Sequence, residues 1–140
     1  MPPAPRLDDL GALGDLPEDR LVGGSGDDSI DGFVGDDSIE GGEGDDTLDG
    51  GAGADEIWGG TGHDRLRGGT GDDRLGSYDG DDRLHGGEGA DALWGSAGDD
   101  SLWGGTGNDT VDGGDIYRDG GNVGVGTAGP EARLHVKDQS

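Results

Sequence analysis

From Gly23 to Asp112 the chain reads GGSGDDSID GFVGDDSIE GGEGDDTLD GGAGADEIW GGTGHDRLR GGTGDDRLG SYDGDDRLH GGEGADALW GSAGDDSLW GGTGNDTVD, ten consecutive nine-residue blocks without an insertion. Glycine holds the fourth place of every block, aspartate the sixth and an aliphatic residue the eighth. A fixed period of this kind marks a repeat architecture, in which each unit buries a small apolar face against its neighbours. A disordered acidic, glycine-rich chain would share the composition but requires no such register.

Within a block, GGxGxD predicts a turn and the next three residues a very short strand. Glycine allows a positive φ and lets backbone approach closely. Alternation along the strand points the eighth position inward and the seventh and ninth outward. The predicted core is therefore Ile30, Ile39, Leu48, Ile57, Leu66, Leu75, Leu84, Leu93, Leu102 and Val111.

The blocks match GGxGxDxUx, and the chain resembles the RTX family of calcium-binding nonapeptide repeats over roughly two thirds of its length. The resemblance implies an all-β fold, a parallel β-roll or β-solenoid of about five two-block coils with terminal caps. Blocks eighteen residues apart would stack on the same side. It also implies Ca2+ as the cofactor, held between stacked turns by carboxylate and glycine carbonyl oxygens. The metal ligands so implied are Asp28, Asp37, Asp46, Asp55, Asp64, Asp73, Asp82, Asp91, Asp100 and Asp109, with about eight sites between coils.

Composition supports this reading independently. With 36 glycines and 27% hydrophobic residues, the 140-residue chain has little from which to build a conventional core. Ten buried aliphatic side chains fall short of the entropy cost of ordering the repeats, so bound cations are expected to supply stability. The 33 acidic residues against nine basic ones leave a net charge of -24, which opposes nucleic-acid binding and docking on anionic membranes. The chain contains no cysteine, no stretch long enough to span a bilayer and no evident cleaved secretory signal at its start.

Position five is acidic in Asp27, Asp36, Asp45, Asp72, Asp81 and Asp99, but Ala54, His63, Ala90 or Asn108 elsewhere, so it is not an obligatory ligand. Turn formation, solubility and calcium attraction account for it, with direct coordination as the alternative. Three blocks depart from the glycine pair, at Phe33, at Ser77 with Tyr78, and at Ser96. A side chain there strains a positive-φ position or reroutes the turn. Phe33 and Tyr78 could also pack outside the turn or face a partner.

On the predicted exterior, Arg65 and Arg83 are neighbours, Arg67 lies beside them and Arg74 occupies the other side. They either offset the acidic surface or form a ligand site. Trp58 and Trp94 fall on one side, two coils apart, and Trp103 on the other. Exposed aromatics are candidates for contact with a protein or carbohydrate partner.

The flanks divide the chain into residues 1–20, an N-terminal cap or leader; 21–117, the roll; and 118–140, a C-terminal cap or oligomerisation segment. Leu7, Leu10, Leu13 and Leu16 could form an apolar stripe on a short helical cap, which Gly11, Gly14 and Pro17 weaken. After Asp112 the register fails, with Ile116 in the expected glycine place, and Ile116 and Tyr117 are expected to close the last coil. Gly121 to Val136, GNVGVGTAGPEARLHV, resembles an element of phage tail-fibre and trimeric stalk proteins through Asn122, Gly124, Gly126, Thr127, Pro130, Leu134 and Val136. That resemblance implies a homo-oligomer; a strand pair capping the roll is the alternative.

No catalytic constellation is legible. His63, His85 and His135 are dispersed, and no Ser-His-Asp set, EF-hand loop or P-loop pattern is present. The expected function is a noncatalytic calcium-binding structural module, extracellular, cell-surface or virion-associated, that folds on calcium and supports a fibre-like assembly. The alternatives are a monomeric calcium-responsive folding or secretion module and a carbohydrate- or protein-binding adhesin fragment.

Overall fold

The computed structural model describes residues 17–113 and, beyond them, the backbone of residues 115–117, 122–125 and 134–135. The expected helical stripe of Leu7, Leu10, Leu13 and Leu16 lies outside the described residues. Every described element is a strand: β1 (Arg20–Ser25), β2 (Ser29–Asp31), β3 (Ser38–Glu43), β4 (Thr47–Ala52), β5 (Glu56–Thr61), β6 (Arg65–Thr70), β7 (Arg74–Gly76), β8 (Arg83–Glu88), β9 (Ala92–Trp94), β10 (Ser101–Thr106), β11 (Asn108–Asp112), β12 (Asp115–Tyr117), β13 (Asn122–Val125) and β14 (Leu134–His135). Odd-numbered strands form one seven-stranded sheet and even-numbered strands another. All pairs are parallel.

The chain is thus a parallel β-solenoid in which each coil contributes one strand to each sheet. The eighteen-residue period sets the register, pairing Leu21 with Ile39, Ile39 with Ile57, Ile57 with Leu75 and Leu75 with Leu93 in the odd sheet. In the even sheet Ile30, Leu48, Leu66, Leu84 and Leu102 follow one another in the same way. All ten predicted core residues are buried, and together they form one continuous cluster.

That cluster has an eleventh member. Leu21 is 2% exposed on β1, and Asp19 is buried two residues before it. They occupy the sixth and eighth places of a degenerate block at 14–22, whose fourth place is Pro17 rather than glycine. Spacing alone, nine residues ahead of Asp28 and Ile30, was the available signal.

Most strands are longer than the three residues expected. In β1, β3, β4, β5, β6, β8 and β10 the pairing runs on through the glycine pair for six residues. The close fit explains why: a Cβ on Gly42 or Gly60 would overlap the carbonyl of Gly24 or Gly42 one coil earlier, and both glycines have positive φ, 115° and 104°. Glycine lets neighbouring coils approach closely enough at that point for the ladder to continue unbroken.

Within the ten blocks, the three-residue strands β2, β7 and β9 each lead directly into a block whose glycine pair is altered, at Phe33, Ser77 with Tyr78, and Ser96. Phe33 and Ser96 retain the left-handed conformation, at φ 69° and 65°, whereas Tyr78 abandons it. Isolated bridges at Val34, Asp79 and Ala97 are what remains of the ladder there.

Past Asp112 the coil is shortened by four residues. Ile116 pairs with Leu102 and Val125 with Val111, each fourteen residues on rather than eighteen. The missing residues correspond to the turn, so β12 follows the glycines directly. β13 and β14 then extend the ends of the two sheets.

Core packing should dominate the response to substitution. Leu75→Ala, at a fully buried site in the central coils, is expected to cost about 2–5 kcal/mol, whereas Ser38→Ala on the exterior should stay within about 0.5 kcal/mol. Denaturant unfolding of both variants in saturating calcium checks the contrast.

Candidate metal centres

The turns stack in two rows, and each row is strapped by the aspartate at position six. One carboxylate oxygen of each reaches back one coil. Asp37 Oδ1 accepts from the N–H of Asp19, Asp46 Oδ1 from Asp28 and Asp55 Oδ1 from Asp37, all at 2.8 Å. The series continues through Asp64, Asp73, Asp82, Asp91, Asp100 and Asp109 at 2.7–3.0 Å.

The second oxygen has no such partner. Oδ2 of Asp19, Asp28, Asp37, Asp46, Asp55, Asp64, Asp73, Asp82, Asp91, Asp100 and Asp109 is buried without a hydrogen bond. A buried carboxylate oxygen left bare costs free energy unless a proton or a cation compensates it.

Its surroundings consist of backbone oxygen and glycine. A Cβ built on Gly23 would overlap both Asp28 Oδ2 and the carbonyl oxygen of Gly41 in the next coil; the same holds at Gly32, Gly41, Gly50, Gly68 and Gly86. The position-one glycine therefore keeps open a cradle in which a carboxylate oxygen and a carbonyl oxygen from successive coils converge. Oxygen-only donors with uncompensated negative charge fit a hard divalent cation such as Ca2+. Among the described residues no group of three or more His, Cys, Asp or Glu side chains could hold a metal. Each turn offers one such carboxylate, and backbone carbonyls would have to complete the donor set.

Position five has a distinct role that spacing did not expose. Its side chains reach forward: Asp27 Oδ1 accepts from the N–H of Asp45, Asp36 from Ala54, Asp45 from His63, Asp72 from Ala90 and Asp81 from Asp99. His63 serves in the same way, its Nδ1 accepting from the Asp81 N–H at 2.9 Å. Ala54 and Ala90 cannot make this bond, consistent with the tolerance of that position to substitution.

Burial raises the proton affinity of the position-six carboxyls. Asp55, Asp64, Asp73, Asp91 and Asp100 are pushed up to about 6, first by desolvation, then by the charges of neighbouring aspartates, with the backbone N–H bond opposing both. Asp37, Asp46, Asp82 and Asp109 are raised from the same leading cause.

The repeat family can now be placed. The RTX calcium-binding nonapeptide repeat matches in four overlapping spans, residues 18–48, 40–75, 58–93 and 85–115. The chain belongs to this RTX family. No curated protein and no solved structure matches it. The RTX match begins at residue 18 and so takes in Asp19 and Leu21, the two places of the degenerate first block.

Outside the turns, the RTX roll carries the expected exterior rows. Arg65 and Arg83 pair across β6 and β8, and Arg67 lies 3.7 Å from Asp49. Trp58 and Trp94, two coils apart, stack with ring centroids 6.2 Å apart and planes 15° from parallel. They meet because Gly76 stands between them, and Trp58 lies over its Cα. Exposed Tyr78 adds a third ring 6.0 Å from Trp58.

The raised carboxyls fix the sign of the pH response. In the metal-free chain they bind protons more tightly when folded than at the ordinary value of 3.8, so acid favours that fold and the gain is lost as pH rises through about 6. Calcium requires the ionised form, so its hold should weaken as pH falls through about 6. Far-UV circular dichroism should show acidification from neutrality increasing β-structure in chelator, and a calcium electrode should show the same acidification releasing bound calcium at limiting calcium.

Proposed function

We propose that this chain is a noncatalytic, calcium-dependent structural module that folds when its turns bind Ca2+. The observation that carries the reading is the row of bare, buried Oδ2 atoms, beside a position-one glycine in every repeat block except the one that begins with Ser77. Asp28, Asp37, Asp46, Asp55, Asp64, Asp73, Asp91, Asp100 and Asp109 are the carboxylates that would hold the ions, with glycine carbonyls from adjoining coils, and Asp82 is set apart by Ser77 at the first place of its block. Bound Ca2+ supplies the positive charge that lets like-charged turns stack. Without it, repulsion between successive aspartates opposes the coil.

We assign the module to an extracellular or surface setting, where calcium is abundant enough to drive such folding. Residues 1–20 then act as the N-terminal cap or leader, 21–117 as the roll and 118–140 as the closing or assembly segment. The backbone of β13 and β14 at the ends of the two sheets supports closure, while the stalk-like sequence of the same segment supports assembly with further copies. A second reading, contact with a carbohydrate or protein, is favoured by the Trp58, Trp94 and Tyr78 cluster.

Calcium titration of the metal-free chain at neutral pH, followed by circular dichroism and light scattering together, tests the proposal. A transition from disorder to β-structure is expected; an ordered metal-free chain indifferent to calcium would overturn it. A rise in mass on folding would assign 118–140 to assembly, and constant mass to closure.

Asp73→Asn provides a local test. The amide oxygen can still accept from the Asp55 N–H, but the charge beside Gly68 is removed. Isothermal titration calorimetry should find at least one calcium fewer per chain.

A further inference from the structure

Nine of the ten repeat blocks begin with glycine, and the seventh begins with Ser77. The neighbours that meet at the other cradles have counterparts here in Asp82 of the same block and the carbonyl of Gly95 one coil later. Ser77 is 1% exposed, and its Oγ donates to that Gly95 carbonyl at 2.8 Å. The Asp82 carboxyl, raised by burial, is lowered in part by the Asp64 N–H and then by the nearby Ser77 hydroxyl. A hydroxyl carries one proton, however, and with that proton committed to Gly95 it leaves Asp82 Oδ2 without a donor.

We infer that Ser77 plugs the cradle between Asp82 and Gly95, making this one gap a metal-free joint in the row of turns leading from the odd sheet to the even sheet. The inference rests on the calcium reading of the other turns. Two features support it. The side chain occupies the direction that glycine leaves empty elsewhere, and it consumes a carbonyl lone pair that would otherwise face the cradle.

Backbone bonds between coils persist at this joint. Ser77 N–H donates to Trp94 O at 3.0 Å, Ala97 N–H to Tyr78 O at 3.0 Å and Tyr78 N–H to Gly60 O at 3.2 Å. Tyr78 has left the positive-φ conformation that its counterparts keep. Three coils are thereby tied across block seven much as at other turns, and the Ser77 Oγ bond to the Gly95 carbonyl is the addition peculiar to this joint.

Calcium stoichiometry measured by isothermal titration calorimetry on the full chain, Ser77→Gly and Ser77→Ala tests the inference. Ser77→Gly reopens the cradle and should bind one additional calcium per chain. Ser77→Ala keeps a Cβ in the cradle and should match the unsubstituted chain. Circular dichroism of each calcium-loaded chain establishes that the roll has formed. Equal stoichiometry for Ser77→Gly and the unsubstituted chain would overturn the plug. One calcium fewer in Ser77→Ala would also overturn it, by making the hydroxyl a ligand. Zero stoichiometry in all three chains is a separate result, which overturns the calcium reading and with it the inference.

Discussion

The structure depends on the divided use of one carboxylate. At position six, Oδ1 ties its turn to the backbone of the preceding coil, which fixes where the carboxyl group sits. Oδ2 is then held in a buried place with nothing to compensate it. The same bond that stacks the coils therefore holds a bare charge that a proton or a cation would compensate. Truncating the side chain would relieve the charge but lose the strap.

The position-five side chains complement this arrangement from the solvent side. They reach one coil forward while position six reaches one coil back, so an N–H from each of two adjacent positions finds a side-chain acceptor. The forward bond is exposed and dispensable, as Ala54 and Ala90 show. The backward bond is buried and every described repeat keeps it or its carboxylate. The chemical difference between two neighbouring aspartates thus comes from burial rather than residue type.

Departures from the repeat have local consequences that share one cause. Coils lie close enough at the glycine pair that a side chain either accepts a left-handed backbone, as Phe33 and Ser96 do, or shifts the chain, as Tyr78 does. In each case the strand stops early. At block seven the altered pair also places a hydroxyl in the cradle, and the adjoining Gly76 admits the stacked indoles of Trp58 and Trp94. Two consecutive residues, Gly76 closing block six and Ser77 opening block seven, therefore change the outer face and the row of turns.

Sequence alone determined the core and the carboxylates of the turns, because every nine-residue block carries one inward aliphatic and one fixed aspartate, and its resemblance to the RTX repeats implied the solenoid of two-block coils. It missed Asp19 and Leu21, since the block around them lacks the second- and fourth-place glycines that announce a turn. It also underestimated strand length, because close approach between glycines belongs to two coils and not to one block. Only the tertiary structure decided which carboxylate oxygen is occupied, that Trp58 meets Trp94 across Gly76, and that Ser77 bonds Gly95. Periodicity says which residues lie one coil apart; the direction in which each side chain reaches is set by the turn that carries it and by the space its neighbour leaves.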